Sequence, residues 1–574
     1  MAASMDRKTS TGAMGASRAA LDVLLTDAAV ERGGASRFLK PAAATKAVAG
    51  LARHPDRTAR RMGALTGELA GVLTGRSGLT PPRGDRRFTD PAWEQNWLLR
   101  RTLQSYLAVV DTVDGLIDDA DLDWRTERQA RFAAGNVLDA LAPSNFPWSN
   151  PAVLREIIDQ GGANLVRGGR RFARDISRSP RLPATVDTTK FEVGENLAQS
   201  PGSVVLRTDV FELIHYQPQT EQVRDLPLLF VPPTINRYYI LDLAPGRSMV
   251  EYLVREGQQV FVISWRNPDQ AHGHFDLDTY AEAVLGARDA VAEITGQPSV
   301  HLNAACSGGI ITAGTLAHLA HSGRLSDVAS LTLMVSALDN DRAGTTSALV
   351  NREVAAAAVA ESARKGYLDG RSLAGVFAWL RPNDLIWGYV VNNYLLGKNP
   401  PAFDILYWNQ DSVRLAAGLH RDFIRVALDN SLTSPGALTV LDTPVDLASV
   451  DLDAYVVAGS NDHIIPWQNA YRSTQLLGGQ SRFVLSTSGH IQALVNPPAE
   501  DRTQSRASYR VAEDNPPDTD AWLGQAATHQ GSWWPDYVQW LAERSGDTVP
   551  APRRLGARKH KALAKAPGSY VHAA

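Results

Sequence analysis

A single thiol, Cys306, stands in this chain of 574 residues, inside the stretch SVHLNAACSGGIITAGTLAHLAH, where a β-run passes through small residues into a helical pattern. A reactive side chain held on a strained strand-to-helix turn needs small residues two positions before and two after it. Cys306 has Ala304 and Gly308 there, with alanine standing where the strict pattern has glycine. Ser307, flanked by Ala305 and Gly309, fits the same template. A buried cysteine at a tight turn is the third reading, since free cysteine behaves as a small hydrophobe. The turn by itself leaves all three open.

Two downstream residues bear on the choice. The run DAYVVAG leads into SNDHIIPW and sets Asp462 just past a strand end, while RFVLSTS leads into GH and sets His490 in the next loop. Alone, Asp462 reads as a turn residue and His490 as a surface histidine. Together they follow the order nucleophile, acid, histidine that an α/β-hydrolase-like domain requires. His463, beside the acid, is expected to support it. A thiolate attacking a thioester makes another thioester, so the acyl group stays activated for transfer to an alcohol. His272 with His274, and His318 with His321, have no acidic or thiol partner at ligand spacing, so no metal site is read. One cysteine also excludes intramolecular disulfides, zinc fingers and iron–sulfur clusters.

These residues need a scaffold. PLLFVPP, QQVFVISW, SVHLNAA, SLTLMVS, DAYVVAG and RFVLSTS are short apolar or β-branched runs with helical stretches between most of them, such as TYAEAVLGARDAVAEIT at 279–295. Strands alternating with helices predict an α/β fold with parallel βαβ units, here a catalytic domain over 201–545. SVVLRTDVFELIHY opens it as a hairpin. Residues 1–200 are expected to form a mainly α-helical N-terminal domain, with 1–80 loosely ordered and a long helix opened by Asp90 and Pro91. The 155 residues between Cys306 and Asp462 exceed one strand–helix–strand step. The excess, about 339–446, carries Phe377, Trp379, Trp387, Tyr389, Tyr394, Phe403, Tyr407 and Trp408 and is expected as an inserted cap that excludes water. Residues 546–574 read as a basic, solvated tail: from Ala551 onward there are six Lys or Arg and no acid.

A hydrophobic fraction of 44%, 21% charged residues and a net charge of −3 describe an ordinary globule with no bias towards nucleic acid. Met1 to Ala20 lacks the apolar stretch of a signal peptide, and no run of 18 apolar residues occurs. No transmembrane segment and a cytoplasmic location are therefore expected.

From about Asp85 to the C-terminus the chain resembles the polyhydroxyalkanoate synthase family. The stretches that carry the resemblance include DRRFTDPAW, ALAPSNFPWSNP, FEVGENLAQSPGSVV, PPTINRYYILDL, VFVISWRNP, NAACSGG, RPNDLIWGYVVNNYLLGKNPPAFDILYWNQD, GSNDHIIPW, SGHIQALVNPP and GSWWPDYVQWLAERSG. Its length and ending, APGSYVH, are similar to the class II branch, whose substrates are medium-chain (R)-3-hydroxyacyl-CoA thioesters; class I, for short chains, is the nearer competitor. The resemblance implies Cys306 as nucleophile, Asp462 and His490 as its triad partners, and oxyanion donors at the backbone of Ser307 and of Ile235 in the Val231–Asn236 loop. It also matches Trp408 to a tryptophan associated with activity or dimer contacts. The implied enzyme is a homodimer needing neither metal nor cofactor, with the CoA thioester as substrate. It builds a polyester that separates as cytoplasmic granules, and it sits at their surface. Two other readings stand beside it: a thioesterase or intracellular polyester depolymerase, and a non-catalytic granule-associated protein.

Overall fold

The computed structural model describes residues 41–178, 181–341, 352–370, 375, 378–379, 381–462, 464–499 and 505–573. These fall into two compact units, one of 189–370 with 404–573 and one of 41–188 with 371–403.

The first unit is built on an eleven-stranded sheet. Its strands, numbered in chain order, are β1 (Gly202–Arg207), β2 (Phe211–Tyr216), β3 (Leu228–Val231), β4 (Val260–Trp265), β5 (Val300–Ala305), β6 (Val328–Met334), β7 (Ala454–Gly459), β8 (Ser481–Ser486), β9 (Ser508–Val511), β10 (Ala527–Gln530) and β11 (Ala564–Lys565). The spatial order is β10-β9-β8-β7-β6-β5-β3-β4-β2-β1-β11. Pairing is parallel from β4 through β3, β5, β6 and β7 to β8, and antiparallel at both flanks. Every residue of β3, β4, β5 and β7 is buried. Strands covered on both faces read as continuous apolar runs rather than as alternation, which is why these segments stood out in the sequence. The helix expected at 279–295 spans Leu277–Thr295, with Asp276 capping its first turn through the Thr279 N–H.

The C-terminal segment is not a solvated tail. Ala564 and Lys565 pair with Val204 and Ser203 at the sheet edge. Glu212, fully buried on β2, accepts the N–H groups of Ser569 and Tyr570 at 2.8 and 2.9 Å. Arg553, Arg554, Arg558, Lys559 and Lys565 remain exposed. The composition reported those outward charges, whereas the backbone and Tyr570 anchor the segment.

The second unit is helical. In place of one helix from Pro91 there are two, Ala92–Gln95 and Trp97–Asp119. Asn96, in extended conformation, accepts the N–H groups of Leu98 and Leu99 and starts a new helix at that point. Helices Pro41–Arg53 and Pro55–Thr74 lie in the stretch read as loosely ordered. Arg61 of the latter lies over Gly115 and pairs with Asp119 at 3.0 Å, a small-residue contact that leaves little apolar periodicity. Trp379, Trp387, Tyr389, Tyr394 and Phe403 belong to this unit, whereas Tyr407 and Trp408 belong to the first. Phe377 lies outside the described residues. Among the described residues no helix is long and apolar enough to cross a membrane.

Candidate active site

Cys306 follows β5 and stands at the N-cap of the helix Ser307–His321, with φ 50° and ψ −120°. Positive φ is strained for a residue with a Cβ, at a cost on the order of 1–3 kcal/mol, and such strain persists only where the surroundings enforce it. Here the Cys306 N–H donates to the Met334 carbonyl at 2.9 Å, while its own carbonyl accepts the Ser336 hydroxyl at 2.9 Å and the Gly309 N–H at 3.0 Å. The small residues have distinct reasons. A Cβ on Gly308 would lie 2.3 Å from the Val231 carbonyl oxygen, and one on Gly309 would lie 2.5 Å from the Ser336 hydroxyl. Ala304, by contrast, is still inside β5, paired with Val231 and Leu333, and its methyl is accommodated there.

Asp462 follows β7 and His490 follows β8, the first at a turn and the second at the start of the short helix His490–Leu494. His490 Nδ1 and Asp462 Oδ2 are 2.7 Å apart, with both side chains buried. The other carboxylate oxygen accepts the N–H groups of Ile464 and Ile465 at 2.7 and 2.9 Å, which fixes the acid's orientation. Burial pushes the His490 imidazole down, but the charge and hydrogen bond of Asp462, followed by the hydrogen bond with Cys306, outweigh it and raise it to about 10. The imidazole is thus a strengthened proton acceptor that joins the carboxylate to the thiol.

Ser307, the competing residue in the sequence pattern, is engaged elsewhere. Its hydroxyl accepts the Thr234 N–H at 3.0 Å and lies 3.2 Å from the Thr234 hydroxyl. Ile235, next along the loop after β3, is buried. Trp408 is buried as well, and its indole N–H donates to the Arg237 carbonyl at 2.7 Å, three residues beyond Thr234. His463 lies outside the described residues. Thr234 and Ser336 escaped the sequence reading, because a hydroxyl bonded to distant backbone has no spacing that announces it.

A buried base held by a carboxylate, beside a thiol on a strained turn, can perform nucleophilic acyl transfer. The comparisons with known proteins agree with that chemistry. Residues 84–253 match the family described as poly-beta-hydroxybutyrate polymerase (PhaC) N-terminus, and residues 240–497 match the alpha/beta hydrolase fold. The chain is 45% identical over 520 residues to poly(3-hydroxyalkanoate) polymerase 1 of Ectopseudomonas oleovorans, covering 91% of this chain and 92% of that one. Polymerase 2 of the same organism is also 45% identical, over 90% of this chain and 92% of its own length. The poly(3-hydroxyalkanoate) polymerase subunit PhaC of Cupriavidus necator is 40% identical over 88% of this chain and 85% of its own.

Proposed function

Since the chain belongs to the polyhydroxyalkanoate synthase family, as an acyltransferase that polymerises 3-hydroxyacyl-CoA thioesters, we propose that Cys306, His490 and Asp462 carry the transfer. The observation that supports this most is the buried chain of contacts from Asp462 through His490 to Cys306. His490, raised to about 10, holds the Cys306 proton while the sulfur attacks the thioester carbonyl. The tetrahedral intermediate collapses, the carbon–sulfur bond to CoA breaks, and His490 returns the proton to the departing CoA thiol. The 3-hydroxyl of a second acyl group then attacks the acyl-cysteine, giving its proton to His490, and an ester forms as the Cys306 sulfur leaves. Asp462 keeps the imidazole in the needed tautomer and stabilises its charged form. Backbone N–H groups of Ser307 and Ile235 would receive the developing oxyanion.

The preferred monomer is a medium-chain (R)-3-hydroxyacyl-CoA, a reading supported by the similarity of the APGSYVH stretch to the class II branch. Because the growing polyester stays covalently on the enzyme and is insoluble in water, the protein would sit at the surface of its own cytoplasmic granules. A homodimer is the assembly we read for it.

Purified protein supplied with 3-hydroxyacyl-CoA of graded chain length should release CoA and form insoluble polymer, with Cys306→Ala inactive. Free hydroxy acid in place of polymer would point to a thioesterase. Activity that survives Cys306→Ala but not Ser307→Ala would move the nucleophile to Ser307.

A further inference from the structure

We propose that the Ser307 hydroxyl is a positioning group for acyl transfer, tying the loop after β3 to the nucleophile's helix so that the Ile235 N–H stands ready as an oxyanion donor. The proposal rests on Cys306 being the nucleophile.

The loop is gripped along its length. At its start the Pro232 carbonyl accepts the Trp265 indole N–H at 2.9 Å, and Gly308 lies so close beneath that no Cβ fits. At its far side Arg237 donates to the Tyr570 carbonyl at 3.0 Å and reaches Asp411 at 3.3 Å, and its own carbonyl accepts Trp408. Between these anchors, Thr234 makes both a backbone and a side-chain hydrogen bond to Ser307. Thr234 is 4% exposed and Ser307 7%, so water competes little for either bond.

The consequence falls on the next residue. With the Thr234 N–H taken by Ser307, the following donor is that of Ile235, which is 5% exposed and makes no N–H hydrogen bond among the described residues. Ser307's own N–H lies in the first helical turn and has no intrahelical acceptor either. A buried N–H without a partner is costly. Two of them at the edge of a nucleophile's turn make sense where negative charge develops during reaction. The Ser307 hydroxyl thereby sets the distance between the two donors, although it touches no reacting atom.

The test measures kcat and KM for CoA release from 3-hydroxydecanoyl-CoA, together with the rate of Cys306 alkylation by iodoacetamide. Alkylation needs the thiol and His490 but no oxyanion donor. Ser307→Ala should lower kcat about 10- to 50-fold, with KM and the alkylation rate within about twofold of wild type. Ser307→Thr, which keeps the hydroxyl, should recover most of kcat. Thr234→Val keeps the N–H bond and should lose only about threefold. The proposal is overturned if Ser307→Ala turns over within about twofold of wild type, if its alkylation falls in step with kcat, or if Ser307→Thr is no better than Ser307→Ala. Failure of the underlying reading looks different: Cys306→Ala would then still release CoA.

Discussion

His490 and His420 sit in the same unit, both buried and both beside a potential nucleophile. His490 reaches Cys306, and His420 Nδ1 lies 2.6 Å from the Ser362 hydroxyl. Their electrostatics are opposite. Burial pushes His420 down to about 3, whereas the Asp462 carboxylate, overcoming the same burial, raises His490 to about 10. Their backbones differ too. Ser362 is an ordinary helical residue whose hydroxyl donates to the Val359 carbonyl at 3.0 Å, while Cys306 is held at φ 50°. His301, between the Ser330 and Ser545 hydroxyls, behaves like His420: burial, then Arg544, lowers it to about 4. Proximity of an imidazole to a hydroxyl or thiol is therefore only a packing solution. A buried carboxylate on the far side of the ring turns it into a base.

The largest effects should come from the proposed reactive pair, Cys306 and His490. Cys306→Ala and His490→Gln are each expected to lower CoA release by about 10⁴-fold or more. A comparable loss on changing Ser362 or His420 without unfolding would break the distinction between the two regions. Asp462→Asn comes next, with a loss of roughly 10²- to 10⁴-fold. It should also make His490 resemble His420: with the carboxylate charge gone, burial is opposed only by Cys306, and the imidazole should titrate below its value in the wild type. An imidazole NMR titration reads this directly, and an unmoved His490 would mean that Asp462 is not what raises it.

The proposed trio was legible in the sequence because the three positions share one property, a place just beyond the end of a parallel strand that is wholly or mostly buried. That burial, complete in β5 and β7 and covering the last four residues of β8, made them readable as apolar runs, and a strand that is readable gives a readable end. The Ser307–Thr234 tie was not legible, because it joins positions 73 residues apart through hydroxyls with no pattern of their own. The break at Asn96 was hidden because an apolar periodicity can continue across a cap. The anchoring of the C-terminal segment was hidden for another reason: buried Glu212, which holds it, lies more than 350 residues upstream.

The neutral histidines also predict how the fold responds to acid. The unfolded chain binds their protons near pH 6.5, whereas the folded chain does so only near 3 for His215 and His420 and near 4 for His301, in each because of burial first. Their contribution to stability is complete above about pH 6.5 and is lost as pH falls through that value. At pH 5 each costs roughly 2 kcal/mol. His490 has the other sign: its raised value adds stability below pH 6.5 that disappears as pH rises towards 10. Urea unfolding between pH 5 and 9 should accordingly show a wild type that weakens towards acid, and an Asp462→Asn variant that loses the alkaline slope but keeps the acidic one. A variant retaining both slopes would show that the histidine and carboxylate are not coupled.

The smallest effect tests the quiet half of the comparison. Ser362→Ala removes one hydrogen bond to a buried neutral imidazole and should cost about 1–3 kcal/mol of stability, read as a lower urea midpoint with an unchanged slope. CoA release below the unfolding transition should stay within about twofold of wild type, since the Ser362–His420 pair handles no proton in the transfer. Its pH profile should also overlay that of the wild type. A shifted profile would mean that His420 communicates with the reacting groups, and the two histidines would then be parts of one proton network rather than a base and a packing element.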